Sequence, residues 1–131
     1  MSLSSLARAS WVHVLFAFLA MGGWAMFANR GHPPAEMLRA GLVQGLLSAA
    51  LTFGIKRGLE ALHRRMSGLA ALLAPPLISC VTVLALLVGA HALAGTPEIW
   101  ATIAVPFTVS TIYAFVYTAG LDRGARRLRD A

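Results

Sequence analysis

The sequence predicts an all-α integral membrane protein, a four-helix bundle with both termini on the cytoplasmic side, and three observations carry that reading. Hydrophobic residues make up 58% of the 131 and charged residues only 12%, about half the charged share of an ordinary soluble domain. The mean hydropathy is +0.72. The apolar residues are gathered into four blocks, each close to the roughly twenty helical residues that cross a hydrocarbon core. Basic residues fall between these blocks and are distributed unevenly: the segment GIKRGLEALHRRMSG alone holds four of the eleven Lys and Arg. The whole chain, residues 1–131, is thus one transmembrane domain.

The first span covers residues 11–29, an apolar run interrupted early only by His13. Arg8 gives it a basic start like that of a signal peptide, but the run is too long and lacks a small-x-small cleavage site at its end. The second span, residues 35–56, starts at Pro33 and Pro34, which suit a helix's first turn, and Glu36 complements the positive end of its dipole. Its periodicity continues through KRGLEALHRRM. There Ile55, Leu59, Leu62 and Met66 share one face while Lys56, Glu60 and Arg64 follow i, i+4 spacing on another, so the second helix is expected to extend as an amphipathic cytoplasmic helix within the basic loop 56–68.

The third block contains Pro75 and Pro76 a few residues in. Because the residue before a proline avoids helical geometry, the expectation is a short interfacial segment at 69–74 and then a span over residues 76–94. The fourth span, residues 97–121, opens on TPEIW, with Thr96 as the expected N-cap, Pro97 at the first helical position and Glu98 beside the dipole. Pro106 near its middle predicts a kink. A basic tail, residues 122–131, follows.

With four crossings, one side collects nine basic residues and the other keeps only Arg30 and Arg39. The positive-inside rule then puts the nine in the cytoplasm and the chain in a cell inner (cytoplasmic) membrane. Lys56, Arg57, Arg64, Arg65, Arg126 and Arg127 are candidates for anionic lipid headgroups of the inner leaflet. The net charge of +6 and the pI near 11.1 do not indicate nucleic acid, since no polar domain carries them.

Chemistry inside the spans is sparse. No Asp or Glu lies in the apolar parts of the spans, which separates this chain from small drug exporters of similar length that depend on a membrane-embedded glutamate. Cys80 is the one cysteine, so no intrachain disulfide or thiolate cluster forms. His13, His32, His63 and His91 lack the i, i+4 spacing of a helical metal motif, and no metal site or cofactor is expected. His32, Glu36, Arg39, His91 and Glu98 fall toward the extracytoplasmic rim, where titratable groups can converge.

What remains is uncharged polarity in stripes. On the fourth helix Thr102, Pro106, Ser110, Tyr113 and Tyr117 share a face. On the second, Gly41, Gly45, Ser48 and Thr52 recur, and Gln44 joins Ser48 and Thr52 in an adjoining row. Such faces serve close helix packing or line a polar pathway. Length and span number are similar to those of fluoride channels and of small flippase-like proteins of sugar-lipid pathways, a likeness of architecture only.

The leading functional expectation is a non-enzymatic accessory or scaffold subunit that packs with a larger membrane partner or with itself. The second is an oligomeric small transporter, channel or flippase for a small polar or lipid-linked solute, using the polar faces of helices two and four. The third is a membrane enzyme on the His and Glu rim.

Overall fold

A computed structural model describes residues 3–131, and among them every regular element is a helix. The four helices are α1 (Leu3–Ala28), α2 (Pro34–Arg64), α3 (Gly68–Leu93) and α4 (Ile99–Asp130). Each is long and apolar enough to cross a bilayer. This is the architecture of a multi-pass membrane protein. Large apolar side chains such as Trp11, Phe16, Val81, Trp100 and Val116 point outward, as lipid-facing residues do, while polar side chains such as Asn29, Gln44, His91 and Thr102 are buried inside.

The helices neighbour one another in chain order, and α2 and α4 also touch across the bundle. Glycine brings α1 onto α2. A Cβ built on Gly22 would lie 2.9 Å from the Gly41 carbonyl oxygen, and one on Gly45 would lie 3.0 Å from the Phe18 ring, so the two backbones approach as closely as small-residue interfaces in membranes allow. On the far side of the bundle Val83, Leu87 and Ile103 form an apolar core joining α3 to α4, with Leu47, Leu51 and Ile55 of α2 against it.

α2 starts as its prolines predict, with Pro33 as N-cap, Pro34 as first helical residue and Glu36 in the first turn. It continues unbroken to Arg64, through the basic stretch. α3 departs from expectation. It is helical from Gly68 onward and passes through Pro75 and Pro76 without a separate interfacial segment at 69–74. Both prolines are fully buried, and tight packing inside a membrane bundle overrides the local bias against helix before proline. Gly68 at φ +60° and Gly95 at φ +67° take the left-handed backbone needed at the two ends of this helix.

The start of α4 also differs. Thr96 does not cap it, because its hydroxyl is engaged by His91 at 2.7 Å. Glu98 occupies the N-cap position without a side-chain cap bond of its own. The cap comes from another helix end: the side-chain oxygen of Asn29, just after α1, accepts the Glu98 backbone N–H at 3.0 Å, satisfying one of the donors that every helix start leaves over.

Candidate functional site

Two polar assemblies hold the end of the bundle away from the basic segments. Asn29 is completely buried. Its amide donates to the Ala25 carbonyl at 2.8 Å and to the Thr102 hydroxyl at 2.7 Å, and Thr102 in turn donates to the Glu98 carbonyl at 2.6 Å. Nearby, the Trp24 indole donates to the Ala101 carbonyl at 2.9 Å, and His32 meets Glu98 at 3.0 Å. Together these bonds fasten the end of α1 to the start of α4.

The second assembly runs through the interior. The Gln44 oxygen can only accept, so His91 donates to it from Nε2 at 2.8 Å. The Nδ1 atom of the neutral ring is then an acceptor, and the Thr96 hydroxyl donates to it at 2.7 Å. The Gln44 amide donates onward to Ser48 at 2.9 Å. Gln44 and His91 are completely buried. In lipid, where no water is at hand, such a chain must be complete within the protein, and here each member is bonded.

The bonds from α1 and Asn29 to α4, Trp24 to Ala101 and Asn29 to Thr102, lie at the end away from the basic segments. Between α1, α2 and α4 lies a half-open cavity of about 680 Å³, within the roughly 300–1,000 Å³ usual for small-ligand sites. Its inner reaches are apolar, lined by Val14, Ala17 and Met21 of α1, Leu51 and Ile55 of α2, and Val109 of α4. Polar groups run along one side: Ser48 and Thr52 of α2 face Pro106, Ser110 and Tyr113 of α4. The mouth carries His13, Lys56, Arg57 and Glu60. From Ser48 to Glu60 the lining follows α2 for about 18 Å at the rise of an α-helix.

Local bonding fixes these side chains. Ser110 donates to the Pro106 carbonyl, and Thr52 to the Ser48 carbonyl at 2.7 Å, so both hydroxyls are turned back on their own helices. The Tyr117 hydroxyl donates to the Glu60 carboxylate, which ties α4 to α2. Tyr113 stacks on Tyr117 with ring centroids 5.4 Å apart and planes 14° from parallel, leaving its other side to the cavity. His13 donates from Nδ1 to the Ala9 carbonyl at 2.6 Å.

The two polar stripes expected from the sequence therefore meet. Ser48, Thr52, Pro106, Ser110 and Tyr113 share the groove, and Tyr117 supports its mouth through Glu60. Gly41 and Gly45 lie instead on the face of α2 that meets α1. Gln44 and Thr102 belong to the two interior assemblies. The rim set divides. His32 pairs with Glu98, His91 turns inward to Gln44 and Thr96, Arg39 approaches Gly95, and Glu36 stays in the first turn of α2. Among the described residues no three His, Cys, Asp or Glu side chains gather as a metal site. Lys56 and Arg57 reach the groove, Arg64, Arg65 and Arg127 are exposed, and Arg126 pairs with Asp122 at 2.8 Å.

Two structural contributors escape a reading by stripes. Asn29, an amide at the end of an apolar run, belongs to neither stripe. Glu60 looked like one partner of a surface i, i+4 pair, yet it is half-buried in the groove mouth. In comparisons with known proteins the chain matches no family model, no curated protein and no solved structure.

Proposed function

We propose that this chain is a small transporter of the flippase type in an inner (cytoplasmic) membrane, with both termini cytoplasmic, which admits an amphiphilic solute through the side of the bundle. The observation that carries this reading is the groove itself. It is apolar along its length, polar along one side and charged at one end, and it lies half open among α1, α2 and α4. An amphiphile has the same order of parts. The bonds of Asn29, Trp24 and His32 close the opposite end, so the arrangement corresponds to a state open to one leaflet.

By the positive-inside rule that leaflet is the cytoplasmic one. The groove forms within a single chain, although a homo-oligomer or a larger membrane partner would add further walls. An accessory role draws its support from small-residue faces. Gly22, Gly41 and Gly45 are occupied by the contact between α1 and α2, whereas Gly23, Gly89 and Gly120 meet nothing within 4 Å and stay available to a partner; the groove is what such a role leaves without a purpose.

The test is transbilayer movement of a fluorescent short-tailed phospholipid in proteoliposomes, read by chemical quenching from outside. Wild-type protein should speed the exchange. Ala17→Trp, which places an indole in the apolar part of the groove, should abolish the acceleration while the purified protein keeps its helical spectrum and monodispersity. Exchange no faster than in protein-free vesicles would refute the proposal, as would an Ala17→Trp variant as fast as wild type.

A further inference from the structure

Resting on the groove as a solute site, we infer that its ligand is a phosphodiester lipid of single negative charge whose head group bears hydrogen-bond donors. Charge complementarity makes the choice. At the mouth Lys56 and Arg57 stand against the one carboxylate of Glu60, which leaves one net positive charge beside an apolar channel. A phosphodiester neutralises it. A phosphomonoester brings more negative charge than the mouth can match and sets the excess against Glu60, while an uncharged glyceride leaves the one net positive charge unmatched.

Glu60 supplies the second criterion. One of its oxygens accepts the Tyr117 hydroxyl, and an ionised carboxylate has capacity for further donors. It lies one helical turn from Lys56, so a head group whose phosphate meets Lys56 and Arg57 presents its distal hydroxyls to Glu60. The exposed side of Tyr113 flanks that position. The tail then lies along Val14, Ala17 and Met21 and leaves through the open side into the bilayer. These apolar residues are why the occupant is a lipid and not a free phosphate ester.

The test is native mass spectrometry of the protein, delipidated in a neutral detergent and titrated with phosphatidylglycerol, phosphatidylmethanol, phosphatidylcholine, diacylglycerol or soluble glycerol phosphate. One phosphatidylglycerol should bind per chain, at least tenfold more tightly than phosphatidylcholine or diacylglycerol, and glycerol phosphate should not compete. The double variant Lys56→Gln/Arg57→Gln should lose about thirtyfold in phosphatidylglycerol affinity, from roughly 1 kcal/mol for each basic residue near an anionic head group. Phosphatidylmethanol, a phosphodiester of the same charge without head-group donors, should bind wild type more weakly than phosphatidylglycerol, and Glu60→Ala should erase that difference. Arg123→Gln/Arg129→Gln, at the same end but outside the groove, should bind as wild type.

Equal binding of phosphatidylglycerol and diacylglycerol overturns the inference. So do an equal loss in the Arg123/Arg129 variant, a preference for phosphatidylglycerol over phosphatidylmethanol that survives Glu60→Ala, and competition by glycerol phosphate. Ala17→Trp separates the two levels. If it abolishes lipid binding while the charge variants change nothing, only the head-group assignment falls; if it binds as wild type, the groove is not the site and both fall.

Discussion

Replacing Gln44 with Leu probes the interior chain Ser48–Gln44–His91–Thr96 most directly. The substitution keeps side-chain volume and apolar contact but strands the His91 Nε2–H, which donates to Gln44 at 2.8 Å in a completely buried position. A buried donor left without a partner costs about 1–3 kcal/mol. Ser48 loses its amide donor too, but a serine hydroxyl can turn back to a carbonyl of its own helix, so little is added there. His91→Leu does the converse and strands the Gln44 oxygen, again at about 1–3 kcal/mol. The double variant removes both partners and leaves neither stranded. With about 2 kcal/mol for each single change, the double should cost about 2 rather than 4, a coupling of roughly 2 kcal/mol that competition from partners in the unfolded membrane state reduces toward 1. The assay is reversible unfolding in mixed detergent and SDS micelles, comparing wild type, both single variants and the double. Additivity within about 0.5 kcal/mol, the scatter of independent sites, would show that the two side chains do not hold each other and refute the reasoning.

The same unfolding assay separates two adjacent glycines. Gly22→Ala puts a methyl 2.9 Å from the Gly41 carbonyl oxygen and should destabilise by about 1–3 kcal/mol, whereas Gly23→Ala meets nothing within 4 Å and should be neutral or stabilising by up to about 1 kcal/mol; equal effects would contradict the close packing of α1 on α2. Orientation is read by labelling single cysteines in a Cys80→Ser background with a membrane-impermeant maleimide on intact cells. Gly31→Cys should label and Ser67→Cys should not, and the reverse pattern would invert the proposed topology.

The parts of the fold visible in the sequence were those set by solvent. Four apolar blocks of spanning length specify four crossing helices whatever their contacts, and Pro33, Pro34 and Glu36 marked a helix start because that requirement is local. Pro75 and Pro76 misled because the proline rule is also local, while their tolerance depends on what packs around them. Thr96 misled for a related reason: a threonine before Pro-Glu suits a cap, but a buried imidazole five residues earlier offered its hydroxyl a better-shielded partner. At the candidate site, the stripes on α2 and α4 followed from helical periodicity. That they face each other across a half-open groove did not, because α1 also walls that groove, and no residue pattern records which helices leave space between them. Glu60 was hidden in the same way, since an i, i+4 charge pair looks alike on a free surface and at the mouth of a cavity.

The fastening of α1 by Asn29 bears on the order in which the bundle can be assembled. Its partners, Thr102 and the Glu98 backbone, lie 73 and 69 residues further along the chain, so while synthesis proceeds the amide waits for most of that length before two of its bonds can form. The glycine contact between the first two helices needs no such delay. The early hairpin is therefore complete as a hairpin yet unfinished as a docking edge, and arrival of the last helix latches it. A ribosome-stalled chain ending before residue 98 would expose the difference: it should keep the first hairpin but leave Asn29 open to crosslinking by the insertion machinery, a contact that release of the full chain should abolish.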